Sequence, residues 1–386
     1  MFSSRFHWDF RPNRLARALA EKRRAGERLL DLTQSNPTRA GIEYPPEILS
    51  AFQDPGMLAY DPAPAGARQA REAVAAYYAA RGQRVEPERI LLTASSSEAY
   101  AYIFKLLSDP GDEVLVPRPS YPLFEFLAAM ESIEVRPYPL AYHGGWSMDL
   151  DALEAAISPR TRAVSLVNPN NPTGSYVKRL EVQRLAHLCA ERGIAIISDE
   201  VFSDYSFAPD PQRVATLAGL DECLVFVLSG LSKVAGLPQM KLGWIAVSGP
   251  PAMRAEAMEK LEWIADTYLS VGTPVQCAAA KLLAAGEQVQ GRIRQRTAAN
   301  LAHARAALAG SAANILAVEG GWYIAAQLPR IRSEEEWAVD LLALENVLTQ
   351  PGFFYDFESE AYLILSLLTE TAVFQEGIAK LRGFVG

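Results

Sequence analysis

Between residues 89 and 249, short uninterrupted apolar runs alternate with longer segments of helical periodicity. The runs are RILLT, DEVLVP, AVSLVN, IAIISD, CLVFVLS and LGWIAVS. Apolar runs without polar alternation mark strands covered on both faces, as in a mostly parallel sheet flanked by helices. Helices are predicted between them at SSSEAYAYIFKLL, YPLFEFLAAM and KRLEVQRLAHLCAERG, the last closed by Gly193 in the usual stop position. Past about residue 274 the texture changes. A long alanine-rich amphipathic segment, roughly 276–310, precedes short strands around GGWYIAAQL and AYLILSLL and a terminal helix. The pattern predicts an α/β fold with a large domain over 45–275 and a smaller α+β domain made of 1–44 together with 276–386.

Composition narrows the partners. With 49% apolar and 21% charged residues in 386, the chain suits a soluble globular protein that buries a sizeable core. Its net charge of -8 is scattered along the chain, without the basic blocks that track a phosphate backbone, so nucleic acid is not an expected partner. Neither a signal-peptide core nor an apolar stretch of membrane-spanning length is present, which predicts no export and no membrane. Cys189, Cys223 and Cys277 are too widely spaced for a zinc site and too few for a disulfide framework, as expected in a reducing cytoplasm. His7, His143, His187 and His303 show no metal spacing and read as surface or packing residues.

In an open α/β sheet, ligands bind beyond the carboxyl ends of the strands. RILL is followed by Ser95, Ser96 and Ser97, placed to cap a helix or to rest an anion on its N-terminus. After EVLVP comes RPSYP, whose Tyr121 either packs conventionally or stacks on a flat ring. NPNNPTG follows AVSLV, and is denser in turn residues than a plain turn requires. Asp199 ends IAIIS, where a carboxylate needs an N–H or a cation as partner. Lys233 stands just past CLVFVLS, although lysines are costly to bury. In a parallel sheet these neighbouring strand ends converge, and together they describe a site for an anion, a planar ring, a ring N–H and an amine nucleophile.

The set is similar to the class I and II aminotransferases, pyridoxal-phosphate enzymes of fold type I. The resemblance runs through LDLTQSNP, YDPAPAGARQAREAVAAYY, NPNNPTG, SDEVF, SGLSK and QPGFFYDF, nearly the whole chain. It implies that Lys233 forms the internal aldimine with pyridoxal 5'-phosphate and later moves protons. Asp199 would keep the pyridine nitrogen protonated, Asn171 would donate to the phenolic oxygen, and Tyr121 would cover the ring. Ser95, Ser96, Ser97, Ser232 and Lys241 would hold the phosphate, with Tyr60 reaching it from the other subunit of a homodimer. Ser35 and Asn171 would touch substrate. The implied reaction moves an amino group from a small-molecule donor to a keto acceptor in the cytoplasm. Alternatives on the same fold are a lyase, decarboxylase or racemase, or a non-catalytic cofactor-binding regulator.

Three positions depart from the family pattern. Phe202 replaces the tyrosine that donates to the phenolic oxygen, and Tyr205 is the candidate substitute. Lys241 replaces an arginine, keeping the charge but not the two-pronged fork. Ile364 occupies the place of the arginine that reads the substrate carboxylate, and no lysine or arginine lies between Arg332 and Lys380. Either another cation such as Arg39 or Arg118 takes over, or the donor or acceptor carries no carboxylate there.

Overall fold

The computed structural model describes every residue except His7, which therefore lies outside the described residues. All six apolar runs are strands of one eight-stranded sheet. Its order is Ile90–Thr93, Gly243–Ser248, Val225–Gly230, Ala195–Asp199, Thr161–Val167, Glu113–Arg118, Glu134–Tyr142 and Trp146–Met148. Val225–Gly230 and Gly243–Ser248 are buried along their whole length, as unalternating hydrophobicity requires. Helices Ser96–Leu107, Leu123–Met130 and Arg179–Arg192 follow their strands directly, and Gly193 closes the last at a φ of 65°. The fold is α/β and mostly parallel.

Register sets where the site lies. Val167 pairs with Asp199, and Asp199 with Leu228, so three adjacent parallel strands end at one level. The order differs from a purely parallel sheet at the edge strand Trp146–Met148, antiparallel to Glu134–Tyr142, and at one place beside the site. Gly243–Ser248 runs antiparallel between Ile90–Thr93 and Val225–Gly230, so the strand leading to the serines is not the lysine strand's neighbour. Two glycines close the gap. A Cβ on Gly230 would sit 2.9 Å from the Gly243 Cα, and one on Gly243 would sit 3.2 Å from the Ser95 carbonyl carbon.

The outer strands Glu134–Tyr142 and Trp146–Met148 are not among the predicted runs. Exposed charges and two prolines, Pro137 and Pro139, hide the longer one, in keeping with a position near the sheet edge.

A second, antiparallel sheet orders Asn314–Ile315, Tyr323–Gln327, Tyr362–Ser366 and Gln350–Pro351. It has its own core, with Ile324, Leu363, Leu365 and Phe374 fully buried. The N-terminal strand Leu30–Asp31 pairs with Val347–Leu348, and helix Arg14–Arg24 packs on Glu334–Glu345. Helix Thr273–Leu308 spans 36 residues and serves both bodies. Val275 to Ile293 pack into the large core, while Leu301, Ala304 and Leu308 pack into the second. No helix among the described residues is long and apolar enough to cross a membrane.

Gly286 lets this helix touch the turn that carries Lys233, since a Cβ there would run into the Ala235 side chain and lie 2.9 Å from its Cα. Gly286→Ala is expected to lower stability by roughly 1–3 kcal/mol in urea unfolding, the usual cost of overpacking. Gly291→Ala, at an open position on the same helix, should instead raise it by about 1 kcal/mol.

Candidate active site

A cavity of about 390 Å³ opens at the carboxyl ends of the parallel strands. Ser35, Ser95, Ser96, Ser97, Tyr121, Asn171, Asp199, Ser232 and Lys233 all line it. Each is delivered by local structure. Ser95 is the extended N-cap of helix Ser96–Leu107, its Oγ accepting the Glu98 N–H at 3.1 Å, while Glu98 accepts the Ala94 N–H at 2.6 Å. The amides of the first helical turn have no intrahelical acceptor and offer a seat for an anion.

The asparagines of NPNNPTG divide their labour. Asn168 donates to the Val214 carbonyl at 2.8 Å and accepts the Val177 N–H, and Asn170 accepts from the Thr173 hydroxyl at 3.0 Å. Those bonds fold the loop. Asn171 faces the cavity, with its buried Oδ1 lacking a partner among the described residues. A buried amide left open in this way suits a ligand.

Asp199 accepts the Val201 N–H at 3.2 Å and lies 3.5 Å from the Tyr100 hydroxyl. Burial raises its pKa to about 6, against the pull of the Val201 amide, the Lys233 charge and Tyr100. Lys233 follows Gly230 in the short helix Leu231–Val234. Burial lowers its pKa, and Asp199 opposes that shift. Its Nζ lies 5.7 Å from the Phe202 ring centre and 5.5 Å from that of Trp322. The backbone of this turn is held by side chains from three other segments. Tyr205 donates to the Lys233 carbonyl at 2.5 Å, Gln290 to that of Val234 at 2.8 Å, and Tyr44 to that of Gly236 at 2.6 Å. Tyr205 therefore does not substitute for the hydroxyl missing at Phe202.

Other expected residues stand apart from the cavity wall. Lys241 is solvent-exposed. Tyr60 is exposed and borders a separate cleft beside Leu269 and Gln276. Ile364 is fully buried. Arg39 is exposed, and Arg118 is occupied by Asp356 at 3.0 Å and Glu358 at 3.5 Å. Four polar wall residues were not anticipated: Tyr100, Tyr323, Gln350 and Tyr355. Tyr100 lies one helical turn beyond Ser97 and was open to prediction on that spacing. The other three come from the second sheet and its connections, whose docking no local pattern encodes.

The sequence profile of the family described as "Aminotransferase class I and II" matches residues 27–373. The glutamate-pyruvate aminotransferase AlaA of Escherichia coli strain K12 is 31% identical over 257 residues, covering 66% of this chain and 63% of that protein. The AlaA protein of Haemophilus influenzae is 26% identical over 376 residues, covering 93% and 91%. Among solved structures, the alanine aminotransferase from Pyrococcus furiosus superposes with a TM-score of 0.90 at 23% identity, covering 100% of this chain and 99% of that one.

The raised Asp199 pKa has a signed consequence for stability. The folded state holds this proton more tightly than the unfolded chain, so the associated stability is present below about pH 4 and is lost as the pH rises through about 6. Cofactor-free Asp199→Asn protein is therefore expected to exceed the unsubstituted protein in stability at pH 8 by up to about 3 kcal/mol. Urea titrations at several pH values should show the gap closing toward pH 4, and a pH-independent gap would contradict the assignment.

Proposed function

Since the chain belongs to the class I and II aminotransferase family, we propose that it transfers an amino group from a small-molecule amine or amino acid to a keto acceptor. The observation that carries this reading is the sharing of one buried cavity by Lys233, Asp199 and Asn171. The family works with pyridoxal 5'-phosphate. When bound, this cofactor supplies an aldehyde that takes up the Lys233 amine and a ring that accepts the electrons of a departing proton.

The residues present fit that group. Ser95, Ser96, Ser97 and Ser232 with the helix N-terminus suit its phosphate, Asn171 suits the ring oxygen through its amide –NH2 group, and Tyr121 suits the ring face. Asp199 offers its carboxylate to a ring N–H, an ion partner that offsets the burial raising its pKa. Lys233, desolvated and short of its usual proton affinity, serves as the base that removes the substrate's proton and returns it. Over the two half-reactions the donor gives up its amino group and a hydrogen, and the acceptor takes both in exchange for its carbonyl oxygen, so no external oxidant enters.

The same proposal keeps the division into 45–275 and 1–44 with 276–386, helix Thr273–Leu308 acting as the spine between the two. It includes a homodimer in the cytoplasm, in which the exposed Tyr60 reaches the phosphate of the partner's site. It also includes atypical substrate recognition, supported by Ile364 at the arginine's place.

Mixing the cofactor-loaded protein with a panel of amines and amino acids is expected to convert the cofactor to its pyridoxamine form, and Lys233→Ala should abolish the conversion. Borohydride reduction followed by peptide mass measurement should find the cofactor on Lys233. Product release without the pyridoxamine form would favour a lyase instead.

A further inference from the structure

The cavity has two unlike walls. The large sheet contributes Lys233, Asp199 and the serines, while the second sheet and its connections contribute Tyr323, Gln350 and Tyr355. This second wall carries no charged side chain, and Lys233 is the one cation among the described residues lining the cavity. Ile364 packs in one cluster with Leu316, Ala325, Tyr355 and Tyr362, fully buried behind the wall and not itself part of it. Gln350 is its register partner on the adjacent antiparallel strand, and Gln350 lines the cavity where Ile364 does not. The Tyr355 hydroxyl donates to the Gln350 Oε1 at 2.5 Å. With its oxygen engaged, the amide presents its –NH2 group to a ligand.

A carboxylate pressed against this wall would be buried with no cation on the wall to pair it, in a cavity whose one described cation, Lys233, already interacts with the Asp199 carboxylate. Such burial is costly without a charged partner. A neutral oxygen meets no such cost, because it accepts from the amide, and a hydroxyl donates onward to a phenol. Resting on the aminotransferase reading above, we propose that Gln350 determines specificity by selecting donors and acceptors whose group beside the reacting carbon is an uncharged hydrogen-bonding oxygen, an alcohol or a carboxamide, instead of a carboxylate. The neighbouring phenols agree with a neutral wall. Burial raises the pKa of Tyr323 to about 12 and also raises those of Tyr355 and Tyr121, so all three stay protonated at neutral pH.

The test compares alanine, alaninol and alaninamide, which differ only in that group, as donors to the cofactor-loaded protein. Alaninol and alaninamide are expected to convert the cofactor at least about tenfold more efficiently than alanine, and Gln350→Arg should reverse the order. Alanine equal to or better than both overturns the proposal. Propionamide and propionate carry no amine and cannot react, so their binding, followed through the cofactor's visible band, reads the wall alone. Tighter binding of propionamide with no donor reacting would leave the specificity intact and refute the aminotransferase reading. Tighter binding of propionate, or of neither, overturns the specificity whatever the donors do. Gln350→Glu, matched in size, guards against misfolding of the arginine variant. It should further weaken alanine and propionate while keeping alaninol within a few fold, and equal losses for every ligand would reveal a merely structural role.

Discussion

Holding a lysine amine at the end of a strand with no exposed residue is the constraint on which the rest of this molecule depends. The Val225–Gly230 strand is buried throughout, so the turn that follows it must satisfy its backbone from within the protein. Tyr205, Gln290 and Tyr44 do so from three separate parts of the chain. Gln290 is itself fixed, since the same amide nitrogen also donates to Asp204 at 2.8 Å, and Asp204 accepts from Tyr77 at 2.9 Å and from Arg81 at 2.7 Å. Removing Gln290 or Tyr44 would orphan a buried carbonyl, a loss on the order of 1–3 kcal/mol, while without Tyr205 the Lys233 carbonyl would still accept the Gly236 N–H at 3.3 Å. Position and stability are thus coupled in this turn.

Close approach is the second half of that constraint. The serine loop and the lysine turn belong to strands that are not adjacent, and the intervening strand must be thin where they meet. Gly243 makes it thin, Gly230 lets the lysine strand close on it, and Gly286 does the same where the long helix crosses behind Ala235. A side chain at any of these positions would displace backbone rather than the flexible end of a neighbour, so the geometry of the cavity rests on atoms that are absent.

Much of this was legible in the sequence, for identifiable reasons. Strands buried on both faces leave continuous apolar runs, and residues after such strands fall at one edge if the strands are parallel. That logic placed Ser95, Asn171, Asp199 and Lys233 in one cavity. Strand direction leaves no mark on hydrophobicity, so the antiparallel course of Gly243–Ser248 was not readable. Glu134–Tyr142 was hidden because its residues are largely exposed or half-buried and interrupted by proline. Gln350 and Tyr355 sit inside QPGFFYDF, a quoted motif, yet their orientation depends on pairing with Tyr362–Ser366 and on docking against the large sheet, where the Ser120 N–H donates to the Tyr355 carbonyl at 2.9 Å. Tertiary placement of that kind has no local signature.

Charge in the cavity is arranged in three zones. What the cavity offers an anion is backbone amides and hydroxyls, with no guanidinium among the described residues of its wall, and Lys241 faces solvent. At the centre, burial pushes Asp199 up and Lys233 down, and each opposes the shift of the other. Toward the second sheet the polar side chains of the described wall are amide, phenol and the Ser35 hydroxyl, while the nearby sequence cation Arg118 is spent on Asp356 and Glu358 outside the wall. A wall of this kind discriminates by leaving its own donors and acceptors unpaired when the wrong ligand enters. Such discrimination is strong against analogues lacking the matching polar group and nearly insensitive to salt, because no screened long-range attraction contributes to it. Substrate choice in this protein therefore follows from hydrogen-bond matching at Gln350 more than from the net charge of the chain.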